Sequence, residues 1–182
     1  MIVLAIDIQK GITDERLYQF SEFIDNAKKI IEAARKYKIE VIYVQHDDGV
    51  GSGFSIGDND FEIAEQVAPL ADEKRFYKTM NSCFANKELA QYLQETKEDT
   101  LIIIGLQTNF CIDASVKSAF ERGYKVIVPN GANSTFDNDY MDKETTYRYY
   151  NEMMWPERFA QCISVEETLA LMSQKCMEKQ EK

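Results

Sequence analysis

Three side chains in this sequence are of the types that covalent hydrolysis uses: Asp7, Lys78 and Cys111. A cysteine sulfur attacks a carbonyl, a carboxylate moves its proton, and an ammonium group holds the two together. Cys111 follows the turn Gly105-Leu106-Gln107-Thr108-Asn109-Phe110, which places it in the first turn of a helix capped by Asn109 or Thr108. Unpaired N–H groups at such a helix end favour an anion, which predicts a thiol pKa drawn towards neutrality. The same N–H groups would receive a developing oxyanion. Read singly, each residue also has an ordinary use. Cys111 fits a buried structural thiol, Asp7 a cap or loop-fixing acceptor, and Lys78 a solvated surface lysine.

The elements that must position them follow from the apolar pattern. Ile2-Val3-Leu4-Ala5-Ile6 has no polar face and reads as a strand buried on both sides, ending at Asp7. Leu17, Phe20, Ile24, Ala27, Ile30, Ile31 and Ala34 recur at helical steps, which predicts a helix over 14–36. Ile39–Val44 is a second strand, so the chain opens with a βαβ unit and a parallel sheet. Residues 46–60 read as a long surface loop rich in Gly, Asp and Ser. A short helix over 61–67, a short strand over 75–78 and a helix over 87–95 follow. Leu101-Ile102-Ile103-Ile104 reads as the central strand. Beyond it come a helix ending at Gly123, a strand at Val126-Ile127-Val128, and a tyrosine-rich helix over 140–153. A last strand at Cys162-Ile163-Ser164 leads, through a Ser164…Glu167 capping box, into a closing helix. The pattern predicts one α/β domain over 1–182, three-layered α/β/α with a mostly parallel central sheet, and a polar tail over 177–182.

Composition limits the function. The chain has 182 residues, 45% hydrophobic and 29% charged, with a net charge of −10. That is a globular composition whose sign disfavours nucleic acid as a partner. The apolar run at the start ends at Asp7, too short for a signal peptide or a membrane span, so a cytoplasmic location with no membrane partner is expected. The four cysteines show no CxxC pair, and reduced thiols are expected.

Taken together these segments resemble the isochorismatase-like cysteine hydrolases, the superfamily that contains nicotinamidases and related amidohydrolases. The resemblance covers nearly the whole chain. It runs from Leu4-Ala5-Ile6-Asp7-Ile8-Gln9 through Tyr77-Lys78 and Ser82-Cys83-Phe84 to Gly105–Ala114, Gly123-Tyr124-Lys125-Val126 and Ser134-Thr135-Phe136-Asp137. It implies the isochorismatase-like fold, with Cys111 as nucleophile, Asp7 as proton-transfer partner and Lys78 as the charge that holds both. It also implies a cis peptide at Leu106–Gln107, which would aim the Gln107 N–H, with that of Cys111, at an oxyanion, and a pocket lined by Gln9. Two departures bear on the substrate. Where nicotinamidases usually carry an Asp-x-His metal site, this chain offers His46-Asp47-Asp48, a weak metal site with one histidine. No metal and no cofactor are expected. Members that cleave the vinyl ether of isochorismate generally lack the cysteine, so Cys111 points to cleavage of a C–N bond in a small-molecule amide. The alternatives are an isochorismatase-type reaction or a silent binding or redox-sensing protein on the same fold, with Cys83 as a resolving thiol. His46, Phe54, Phe84 and Phe136 are expected at the pocket, with ordinary loop anchoring the other reading of the phenylalanines. Tyr147, Tyr149, Tyr150 and Trp155 are expected in the core or at a subunit interface. Together with Met153 and Met154 they suggest a homo-oligomer.

Overall fold

The computed structural model describes residues 1–180. Strand β1 (Ile2–Ile6) is buried at every position, as its unbroken apolar run requires. Helix α1 (Phe20–Lys36) returns the chain to β2 (Glu40–His46), which pairs in parallel with β1. Then come β3 (Lys74–Lys78), α2 (Lys87–Thr96), β4 (Thr100–Leu106) and α3 (Asp113–Glu121). β5 (Lys125–Pro129), the two-residue β6 (Asn133–Ser134), α4 (Lys143–Arg148), β7 (Gln161–Ile163) and α5 (Val165–Gln180) complete the chain.

The strand order is β3-β2-β1-β4-β5-β7, every neighbouring pair is parallel, and β6 adds to the end of β4. Alternation along the strands divides the core between the two faces. Val3, Ala5, Tyr43, Ile102 and Ile104 pack with α1 and α5 residues, while Ile2, Leu4, Ile6, Leu101 and Ile103 pack with those of α2 and α3. The chain builds outward from β1 to β3, then crosses back to β4 and builds the other way. β1 and β4 therefore flank the switch point, where a crevice opens beyond the strand ends.

Several elements differ from the sequence reading, each for a local reason. The first helix begins at Phe20, because Gln19 takes a left-handed conformation (φ 45°). Over 61–67 there is no helix but two single 3-10 turns, Asn59–Phe61 and Glu65–Val67. Between them the Lys10 N–H donates to the Glu62 carbonyl and the Ala64 N–H to that of Ile8, which draws the segment into extended pairing with the exit of β1. The tyrosine-rich stretch is a short helix capped by Asp142, followed by a π-helical turn over Tyr149–Met154. That wider turn delivers Trp155 into the core, fully buried, with its indole N–H donating to Asp113. Trp155 is thus a core residue, whereas Tyr149 and Met153 stay exposed. The expected polar tail is α5 itself as far as Gln180, and residues 181–182 lie outside the described ones. Ser164 and Glu167 do form the reciprocal capping box.

Candidate active site

Asp7, Lys78 and Cys111 come from three different strand ends and meet at the switch point. Asp7 directly follows β1 with φ 52° and donates its N–H to the Val44 carbonyl of β2 at 2.8 Å, which swings its side chain into the crevice. Lys78 is the last residue of β3. Cys111 sits in a π-helical turn, Thr108–Ile112, that leads directly into α3. All three are buried, at 1%, 3% and 8% exposure.

Lys78 is the hub. Its Nζ donates to Asp7 Oδ2 at 2.7 Å, to Cys111 Sγ at 3.2 Å and to His46 Nδ1 at 3.0 Å. An ammonium group has three N–H bonds and accepts none, so this set uses every donor it has. It also fixes the imidazole: Nδ1 must be the acceptor, and Nε2 carries the proton towards Asp48 Oδ1, 3.1 Å away. His46 thus bridges a buried lysine and a half-exposed carboxylate.

The proton inventory corrects the expectation of a preformed thiolate. Burial first, and then the Asp7 charge, push the Cys111 thiol up to about 12, against the lowering influence of Lys78. Burial likewise raises the Asp7 carboxyl above its ordinary 3.8, although Lys78 opposes it. At rest the sulfur carries its proton. Within the same small space stand the Asp7 carboxylate, whose Oδ1 is buried and accepts no hydrogen bond, and Asn81 Oδ1, 3.8 Å from Sγ. Desolvation of a buried anion here outweighs the fraction of a charge that a helix end supplies.

The sulfur, the Asp7 carboxylate and a His46 ring nitrogen lie within 4.8 Å of one another, a donor set that suits a soft divalent ion. Lys78 Nζ, however, lies within 3.2 Å of all three. The cationic position is filled by the lysine, and a metal does not fit beside it.

The remaining expected residues divide. The Leu106–Gln107 peptide is cis. Thr108 and Asn109 do not cap the helix: the Thr108 hydroxyl donates to Asn133, and Asn109 accepts from Thr135, so both turn towards the β6 segment. Gln9 does not line a pocket. Its Nε2 donates to the carbonyls of His46 and Phe61 and its Oε1 accepts the His46 N–H, which pins the end of β1 to β2. Phe84 is a core residue stacked on Tyr124 with Arg122 over its ring, away from the crevice. Phe54 is half-buried against Gly11, and Phe136 packs on the α1 face beneath Arg16. Cys83 is fully buried, its N–H bonded to the Ser115 hydroxyl, and burial pushes its thiol up to about 11. Sequence reasoning missed Asn81 and the buried Asn133–Asn151 pair, since lone polar residues in loops carry no periodic or spacing signal; Asp48, read there only as a weak metal ligand beside His46, instead accepts from the imidazole.

Residues 1–167 match the isochorismatase domain model. The isochorismatase family protein YddQ of Bacillus subtilis is 34% identical over 78% of this chain and 81% of its own length. The ureidoacrylate amidohydrolase RutB of Agrobacterium fabrum is 24% identical over 84% of each chain. The crystal structure of a cysteine hydrolase from Pseudomonas syringae pv. phaseolicola shares the fold, with a TM-score of 0.86 and 23% identity over 95% of this chain and 92% of that one. With the family model spanning nearly the whole domain around a buried acid, lysine and cysteine, the chain belongs to the isochorismatase family of hydrolases.

Proposed function

We propose that this hydrolase cleaves a C–N bond of a small amide through a thioester on Cys111. The observation that carries the reading is the single ammonium, Lys78 Nζ, within hydrogen-bonding reach of both the thiol and the carboxylate. Because the sulfur is protonated at rest, its attack on the substrate carbonyl coincides with transfer of its proton to Asp7. Lys78, touching both, compensates the charge that passes from carboxylate to sulfur. The N–H groups of Gln107 and Cys111 receive the oxyanion. Asp7 then gives its proton to the departing nitrogen and takes one from water; the hydroxide attacks the thioester and releases the acid, and Asp7 returns the proton to the departing sulfur. His46 holds Lys78 on its third side, which makes it a positioning residue.

Amidohydrolase relatives such as the ureidoacrylate enzyme support the bond type. The test is a screen of small primary amides and carbamoyl compounds for ammonia release, with intact-mass detection of an acyl adduct. An adduct on Cys111, absent in Cys111→Ala, is expected. Turnover that persists in Cys111→Ala rejects the covalent route.

A further inference from the structure

We propose that Asn81 is a further catalytic residue: its side-chain oxygen receives the N–H of the scissile amide, so that the site takes amides with an N–H in preference to esters. The inference rests on the hydrolase reading of Cys111 and adds the group that recognises the nitrogen. It begins with what touches the sulfur. Lys78 Nζ donates to Sγ at 3.2 Å, and the thiol donates to Asn81 Oδ1 at 3.8 Å. Lys78 is buried, whereas Asn81 is exposed. Of these two partners, Asn81 is the one on the solvent side, from which a substrate arrives.

The backbone holds Asn81 in this place and leaves its side chain unspent. On one flank the Asp47 N–H donates to the Lys78 carbonyl at 2.8 Å, and Asn86 Nδ2 to that of Tyr77 at 2.7 Å. On the other, the Cys83 N–H donates to the Ser115 hydroxyl of α3 at 3.0 Å, which ties the loop to the helix that follows Cys111. None of these contacts uses the Asn81 carboxamide, which makes no hydrogen bond other than that with the thiol among the described residues. Nor does Asn81 have the left-handed backbone for which asparagine is favoured in turns. The loop does not need an asparagine here for its shape.

Distance and donor strength fit the assignment. A carbonyl carbon poised for attack stands about 3–3.5 Å from the sulfur, with its nitrogen about 1.3 Å away along the C–N bond. An oxygen 3.8 Å from the same sulfur can then stand about 2.9 Å from that nitrogen. A thiol is a weak donor, so an amide N–H replaces it at Oδ1 with a gain. The displaced S–H turns to the Asp7 carboxylate, which has an oxygen within 4.8 Å of the sulfur and its Oδ1 unpaired. Recognition of the nitrogen thus directs the thiol proton towards the base that takes it. An ester presents a lone pair to Oδ1 in place of a donor, and leaves that acceptor unpaired.

The test reads Cys111 directly, so that it does not depend on turnover. Cys111 is alkylated with two reagents of nearly one shape, 2-iodo-N-methylacetamide and methyl iodoacetate, which differ by N–H against O. In each case the sulfur bonds to the methylene carbon, iodide leaves and the thiol proton passes to Asp7. Rates at Cys111, resolved by peptide mass, are divided by those of free 2-mercaptoethanol. The amide-to-ester ratio is expected about 3–10-fold above that of the free thiol. Asn81→Ala should lose this preference, and Asn81→Asp, which keeps an acceptor, should retain it even where both rates fall. In turnover, Asn81→Ala should lower kcat/KM for a primary amide more than for the methyl ester of the same acid. A ratio equal to that of the free thiol, a preference that survives in Asn81→Ala, or a Cys111 that neither reagent labels overturns the proposal. Such a result leaves the thioester reading intact wherever an amide still acylates Cys111. An Asn81-dependent preference in a protein that hydrolyses no amide rejects the hydrolase reading and leaves the N–H recognition standing.

Discussion

Two buried polar clusters stand next to one another at the carboxyl end of the sheet, on either side of Cys111. One is ionic: Asp7, Lys78 and the sulfur, with His46 behind. The other is neutral: the Thr108 hydroxyl donates to Asn133 Oδ1 at 2.7 Å, and Asn133 and Asn151 exchange amide hydrogen bonds at 2.8 and 3.1 Å, with Asn151 also donating to the Tyr147 carbonyl. Asp7, Lys78 and Cys111 in the first and Thr108, Asn133 and Asn151 in the second are all buried. The neutral cluster has its polar atoms paired and no proton to give, so it fastens the turn that carries Cys111 to β6 and α4. The ionic cluster keeps one carboxylate oxygen unpaired and a sulfur protonated against its neighbours. A protein keeps a costly arrangement of that kind beside a well-satisfied one where the unsatisfied group has work to do.

Substitutions sharpen the contrast. The largest effect is expected from Cys111→Ala, which should lower amide turnover by roughly 10⁴-fold or more while leaving the thermal midpoint nearly unchanged, since only a small, weakly bonded sulfur is lost. Equal losses of activity and stability would make the thiol structural. Lys78→Met comes next. It strands the Asp7 charge in the core and should cost about 3–5 kcal/mol in denaturant unfolding at neutral pH. The sign with pH follows from the raised carboxyl: the folded state binds that proton more readily than the unfolded chain, so acidification should restore part of the lost stability. Asn133→Ala breaks the neutral cluster and should cost about 1–3 kcal/mol, with a much smaller effect on turnover than either ionic change. An effect of Asn133→Ala on turnover as large as that of Cys111→Ala would abolish the distinction between the clusters.

The pH profile probes the ionic cluster alone. A base must be ionised to take the thiol proton, so kcat/KM should rise with pH through a midpoint above the ordinary aspartate value of 3.8. No fall from thiol ionisation is expected in the neutral range, since Cys111 is pushed up to about 12. A midpoint at or below 3.8 would remove Asp7 as the base. The smallest effect belongs to a control remote from both clusters. Ser164→Ala removes the capping box of α5 and should cost about 1 kcal/mol without altering activity.

The sheet was legible because its strands are apolar runs that need burial on two faces, and β1, β2 and β4 fall where Ile2–Ile6, Ile39–Val44 and Leu101–Ile104 predict them. Asp7 follows β1, Lys78 ends the short β3 and Cys111 lies in the turn after β4, so the three converge as their order implied. Features set by contacts distant in sequence were not legible. The extended pairing of 62–64 with the exit of β1, and the π-helical turns before α3 and Trp155, have no local pattern. Gln9 reads as a pocket residue until its three main-chain partners are seen. The thiol's protonation state was misread because a helix start is visible in a sequence, whereas the degree of burial around one sulfur is not.

Gly105 has a consequence for how this enzyme can change. It holds φ 126°, and a side-chain carbon placed there would fall on the carbonyl oxygen of Ile6 in the neighbouring strand. The gauge between Asp7 and Cys111 is therefore set by a hydrogen atom: even a methyl group would wedge the two middle rails of the sheet apart where Gly105 faces Ile6, the residue directly before Asp7. Natural variation and directed mutagenesis alike should find the loops that rim the crevice open to exchange and this one position closed.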